Sequence, residues 1–409
     1  MLNATLFALS AGSLAHSPFL TADGINFRSH LCTFSYLFST AIYSTKEMKS
    51  LLTDNTIFRN IIGTGIILES KTYTKQVFEE NVVENSPTVT VQSCLFINCI
   101  ASIDNGGGIQ ITNSLSSVKI SNTGFTNCRT SANGGAFYVI SKEISIDQCC
   151  ITSCTADEYD AFYFSNPDYK NEDELKSTYI YSITPGISST SVIYFDSELP
   201  VISNNNFTSL RRNAIRSIFE IQSADTITFQ YNSFISCLGK SILYFHYFKG
   251  QMRNCNFDDN QATNQLVYFE DKVKIEFDFC CFMNDNSKCY TNQYSWFVSC
   301  IFDHPIDEDK FPHKDYTSHC TFNSKYTTND IEIPGMSKNG CWALITNVIT
   351  ELTSVVTPDA DIPSSLSSTL YGVMIVALII IVGILGFFIY RWCKARHQKD
   401  YMLTMYAQV

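Results

Sequence analysis

The chain is short of charge: Asp, Glu, Lys and Arg make up only 16% of its 409 residues. That composition is poor for a helical protein, whose solvated faces need charged side chains. Ser, Thr, Asn, Phe and Tyr are abundant instead, which suits strands joined by polar turns. The long N-terminal part also lacks a basic stripe, and the net charge is −11, which argues against nucleic acid as a partner. Leucine never becomes the recurrent residue, so leucine-rich repeats are excluded.

In one place the shortage of charge is complete. Residues 370–390, "LYGVMIVALIIIVGILGFFIY", hold no charged residue over a length that spans a bilayer as a helix. Arg391, Lys394, Arg396 and Lys399 follow at once, opposed only by Asp400, and this basic flank marks the cytoplasmic side. The sequence therefore predicts a single-pass type I protein of the plasma membrane, with the lipid bilayer as a partner and residues before 370 outside the cell. Residues 1–17 read either as an export signal without a basic n-region or as the N-terminal cap of the folded domain. Residues 351–369, rich in Ser, Thr and Pro, read as a stalk, and 391–409 as a cytoplasmic tail.

Residues 18–350 are organised by a returning phrase. "SCLFINC" (93–99), "NTGFTNC" (122–128), "QCCITSC" (148–154) and "YNSFISC" (231–237) share an apolar centre among Cys, Asn and Ser. Taking that centre as an anchor gives Phe96, Phe125, Ile151, Phe207, Phe234, Phe257, Phe282, Phe302 and Phe322, with spacings of 29, 26, 56, 27, 23, 25, 20 and 20. The 56 is two periods, and the stretch from Ile180 to Tyr194 supplies the missing coil. Apolar and polar residues alternate around the anchors, so the repeat is built of strands. A 20–30 residue repeat of short strands predicts an all-β, right-handed parallel β-helix ectodomain followed by one transmembrane helix.

Cysteine keeps to two places in this phrase. Cys94, Cys149, Cys255, Cys280, Cys300 and Cys320 stand two residues before an anchor, and Cys99, Cys128, Cys154 and Cys237 three after one. Equivalent residues of successive coils stack about 4.8 Å apart, within reach of a disulfide by Cα separation. The expectation is a dry ladder of thiols for most of the ten and disulfides for some. Asn98, Asn127, Asn254 and Asn260 are expected at corners, bonding to their neighbours above and below. A second phrase falls in step: "NGGGIQI" (105–111) and "NGGAFYV" (133–139) are 28 residues apart, and "YDAFYF" (159–164) follows without glycines.

Phe-x-Asn-Cys followed by Asn-Gly-Gly-Ala-Phe or Asn-Gly-Gly-Gly-Ile resembles the paired FxxN and GGA(I/L/V) repeats of chlamydial polymorphic membrane proteins. Together with one C-terminal span and a short tail, the pattern is similar to related surface-protein families of trichomonad parasites. The full motif pair occurs twice, within residues 94–140, and the looser phrase runs to about 324. The resemblance implies surface display, adhesion and antigenic variation, and it supplies no catalytic residue.

Sites with chemistry of their own are few. Asp258 and Asp259 are adjacent carboxylates, but no Gly-His-Gly or Arg-x-Lys element of the pectin-degrading enzymes stands near them. Asp303, His304, Asp307, His313 and His319 gather without the spacing of a metal site. The charged stretch 166–177 reads as an excursion between coils, and 211–216 as a solvated basic corner. Asn206 heads a glycosylation sequon. Tyr406 and Val409 fit the Tyr-x-x-apolar pattern of endocytic sorting signals, which would make an endocytic adaptor the partner of the tail. The sequence thus points to a protein without cofactor, metal or catalytic residues, binding an extracellular protein or glycan. The rivals are a membrane-tethered polysaccharide lyase or glycoside hydrolase on the same fold, and a structural coat antigen.

Overall fold

The computed structural model describes residues 2–7, 10–12, 19–20, 25–44, 48–69, 87–166, 172–181, 183, 191–211, 217–222, 226–247, 249–270, 275–286, 289–291, 295–305, 317–324, 337, 339–341 and 343–344. The stalk, the span 370–390 and the tail, with Arg391, Lys394, Arg396, Lys399, Tyr406 and Val409, lie outside the described residues. Among the described residues no helix is long and apolar enough to cross a membrane.

The chain is a parallel β-solenoid. One rung shows the plan. Thr88–Gln92 forms a first face, Leu95–Ala101 an anchor face, and the N-terminal half of Ile109–Ser121 a third face. The second half of that long strand then starts the next rung on the first face. Twelve strands stack on the anchor face, from Ser10–Gly12 to Ile301–Phe302, and all pair in parallel.

The anchors meet in register. Phe96 sits on Phe125, Phe125 on Ile151, Ile151 on Ile180 and Ile180 on Phe207. Ile180 therefore fills the double-length gap in the spacing. The column also extends upstream, through Phe58 and Phe34 to Ala11. Phe34–Phe58, Phe58–Phe96 and Phe96–Phe125 stack at 5.0, 4.6 and 5.0 Å. After the two isoleucines the stack resumes from Phe207 and runs to Phe322, whose ring lies 5.1 Å from that of Phe302.

Corners are made by left-handed backbone. The residue three before the anchor has φ between 45° and 59° in all twelve rungs from Leu31 to His319. A second corner falls two residues after the anchor, where Asn60, Asn98 and Asn127 have φ near 52°. Asn tolerates this region because its short amide bonds locally, and Asn98 donates to the Asn60 side chain at 2.9 Å. Asn260 differs from Asn98, Asn127 and Asn254. It is fully buried three residues after its anchor, where Cys237 stands one rung earlier, and it donates to the Phe234 carbonyl and to Asp285.

The second phrase has the same kind of cause. Gly106 and Gly134 adopt φ of 64° and 73°, and a Cβ on Gly135 would come within 2.2 Å of the Asp160 carbonyl. One rung later Tyr159 takes the same corner with φ 54°, and Ala136 donates to the Ala161 carbonyl at 2.7 Å.

The position two before the anchor holds a small hydrogen-bond donor in every rung from Cys32 to Cys320. Cys94 donates to the Gln92 carbonyl at 3.0 Å, Thr56 to Asp54 at 3.0 Å and Thr123 to Ser121 at 2.8 Å. Asn205 and Asn232 fill two rungs and donate to the carbonyls of Leu175 and Ile202. The carbonyls of Asp54, Gln92 and Ser121 also accept the corner amides of Leu31, Asn55 and Ser93, so in these rungs the side-chain donor is a second partner.

All ten column cysteines are free thiols, nine buried and Cys320 partly exposed. This corrects the expectation that some of them pair. Stacked side chains point the same way, so their Cβ atoms stay about one strand spacing apart, beyond the roughly 3.8 Å a disulfide requires. Burial also pushes the thiols of Cys149 and Cys237 up to about 12, which suppresses the thiolate that disulfide exchange needs.

The disulfide that does form lies outside both columns. Cys150, the outward residue beside an anchor, bonds to Cys341 in the helical turn near 339–344, with Cα atoms 5.5 Å apart. Cys341 packs with Ile57, Leu95 and Tyr179 on the outside of the anchor face. Closing a loop over a separation of 191 residues stabilises the fold by about 5 kcal/mol in the chain-entropy account.

The stretch read as a charged excursion is also corrected. Glu172–Lys176 is a strand of the first face, paired with Ser145–Asp147 and Leu199–Ser203. Its acids alternate: Glu172 and Glu174 point outward, while Asp173 is buried and accepts from the Ile144 amide, Asn166 and Ser197. Residues 167–171 lie outside the described residues.

Two outcomes follow. Thiol titration of the unfolded, unreduced chain should find all ten column cysteines reactive and Cys150 and Cys341 protected, while the native chain should react slowly. Phe257→Ala, which cuts the anchor stack in the middle, should cost about 3–5 kcal/mol by denaturant titration.

Candidate functional site

The third face carries a feature the core does not require. Its strands alternate, so Phe162, Phe164, Phe219 and Phe245 turn inward and the residues between them turn out. In register, the outward column reads Tyr138, Tyr163, Tyr194, Glu220, Tyr244 and Tyr268. Tyr138–Tyr163 and Tyr163–Tyr194 stack at 4.7 and 4.9 Å, and Tyr244–Tyr268 at 4.9 Å. Tyr159 leans on both Tyr163 and Tyr194. Burial raises the phenols of Tyr163 and Tyr244 to about 12, so both stay protonated and can donate as well as accept.

Glu220 interrupts the tyrosines and is held firmly. His246 bonds it through Nε2 at 2.8 Å, and Ser191 donates to its other oxygen at 2.6 Å. The second ring nitrogen of His246 meets Glu270 at 2.7 Å. The hydrogen bond to Glu220, opposed by burial, raises the His246 pKa above its usual value. The ring of His246 therefore ties together carboxylates from the rungs on either side of its own.

Beside this stretch lies a cleft of about 440 Å³, lined by Ser217, Glu220, Lys240, Ser241, Tyr244, Asn264 and Tyr268. A volume of that order suits a small ligand or one to two sugar rings. The lining is mostly hydroxyl and amide. Its one carboxylate, Glu220, already has partners on both oxygens.

The residues singled out from the sequence do not converge on this cleft. Asp258 is buried and accepts from Asn284, and Asp259 accepts from Ser236 at a corner. Asp303 and His304 pair with each other, while His319 bonds Ser318 elsewhere. Asp307, His313 and 212–216 lie outside the described residues. Among the described residues no group of three or more His, Cys, Asp or Glu is arranged to hold a metal ion. Asn206 lies on the outward side of the anchor face, half-buried in the strand Asn206–Thr208. The tyrosine column escaped sequence reasoning, although its signal is a third phrase: "FYV" (137–139), "FYF" (162–164), "IYF" (193–195), "LYF" (243–245) and "VYF" (267–269).

Comparison with known proteins gives no matching family model, no matching curated protein and no matching solved structure.

The raised His246 pKa sets a pH window. Its contribution is fully present below the unfolded pKa of about 6.5 and is lost as pH rises through the higher folded value. His246→Gln should therefore destabilise the chain by about 1 kcal/mol at pH 5.5, and the difference should shrink by pH 8.5. Thermal unfolding at the two pH values checks this.

Proposed function

We propose that this chain is a type I cell-surface protein whose solenoid, wound right-handed, stands outside the cell and acts by binding. The right-handed winding follows from the strong preference of parallel crossovers for that hand. The span 370–390 and its basic flank supply the anchor. The ligand is a hydroxyl-rich extracellular molecule, a glycan or glycosylated matrix protein, taken up along the tyrosine column and its cleft. The observation that carries this reading is the outward Tyr column running beside a cleft of Ser, Asn and Lys side chains. Phenol edges and amides offer both donors and acceptors to sugar hydroxyls.

The same cleft weighs against the hydrolase reading. Glycoside hydrolysis needs two carboxylates across the scissile bond, and a single one lines this cleft, occupied by His246 and Ser191. A coat antigen without a ligand would have no use for a formed cleft.

The test is binding of the full-length chain, in detergent micelles, to a panel of glycans and matrix proteins. At least one ligand should be retained, and Tyr244→Ala and Asn264→Ala should each weaken it about tenfold. No binding across the panel, or variants that bind as the parent does, would remove this reading in favour of the coat antigen.

A further inference from the structure

The corner three residues before each anchor is a demanding place. Its φ lies between 45° and 59° in all twelve rungs from Leu31 to His319. Bulky L-residues pay about 1 kcal/mol or more in this region, whereas Asn tolerates it. Nine of the twelve are Asn, Ser, Gln or His, and three are Leu31, Tyr231 and Phe279. Leu31 has a packing reason, since it lies partly buried against the cluster around Cys341. Tyr231 and Phe279 are instead exposed, at 37% and 60%.

The two rings stand on one ridge. Tyr231 donates its amide to Arg253, Asn254 to Asp278 and Phe279 to Val298, so 231, 254 and 279 are successive corners of one column. Two rungs at about 4.8 Å put the ring positions roughly 10 Å apart. That matches the distance between alternate rings of an extended β-1,4-linked sugar chain. Between them Asn254 presents an amide at the surface. The charges beside the ridge, Arg253 and Asp278, face each other at 3.7 Å, which suits an uncharged ligand.

We propose that this ridge, between the first and anchor faces, binds a neutral β-1,4-linked polysaccharide lying parallel to the solenoid axis. Tyr231 and Phe279 stack on alternate sugar rings, and Asn254 bonds hydroxyls of the ring between them. The site is separate from the tyrosine column and cleft on the third face, and it does not depend on them.

The experiment is depletion of the full-length chain, in detergent micelles, by microcrystalline cellulose and by chitin. The parent chain should bind at least one polymer. Tyr231→Asn and Phe279→Asn should each weaken binding at least tenfold, and the double variant should lose it. Because Asn suits the corner better, both variants should unfold at the same temperature as the parent or higher, which separates lost binding from lost fold. The ring-conserving changes Tyr231→Phe and Phe279→Tyr should keep binding, and Asn264→Ala in the cleft should leave it unchanged. A parent chain that binds neither polymer, or an Asn double variant that binds as the parent does, overturns the proposal. Loss through Asn264→Ala instead would move the polymer to the cleft and also overturn it.

Discussion

Everything in this molecule follows from parallel strands stacked rung on rung in register. A parallel ladder places each residue above its equivalent, so a side chain that suits one rung must also suit its two neighbours. Like then stacks on like, as phenylalanine does inside the anchor face and tyrosine outside the third face. The same rule fixes the backbone, because a corner that turns left-handed in one rung must turn so in the next or the ladder loses step.

The column two residues before the anchor shows which property that rule selects. Cys, Thr and Asn interchange there, and what they share is a short side chain with a donor at its tip. Sulfur is one way of filling the place. These cysteines thus act as weak hydrogen-bond donors of the right size, and their recurrence says nothing about redox chemistry. The disulfide sits where the rule does not reach, on the outward side of a strand, where Cys150 meets a segment from outside the ladder.

This explains what could be read in the sequence. The anchors were legible because a buried column accepts only apolar residues, and Ile180 was recoverable from spacing alone. The rungs of Phe34 and Phe58 are harder to read, because the latter carries Thr56 and Ile61 at the two positions where Cys marks other rungs. The strand Glu172–Lys176 looked like a loop because its outward residues are free to be charged, and burial of Asp173 left no mark in the composition. Outward positions answer to solvent or to ligands, which is why the tyrosine column and the ridge of Tyr231 and Phe279 appeared only once register was known. The pairing of Cys150 with Cys341 is aperiodic, and nothing in a repeat announces it.

That covalent bond changes how the solenoid would carry tension. A stacked ribbon pulled from its C-terminal end should come apart like tape, the Thr317–Ser318 rung lifting first and each earlier one following. Here a pull transmitted through the residues after Cys341 enters the structure at Cys150 instead. The rungs between them, including the cleft and the aromatic ridge, belong to a closed covalent ring and cannot be peeled in sequence from that end. Load from that end therefore meets the stack at the rung of Cys150 and not at its last edge strand.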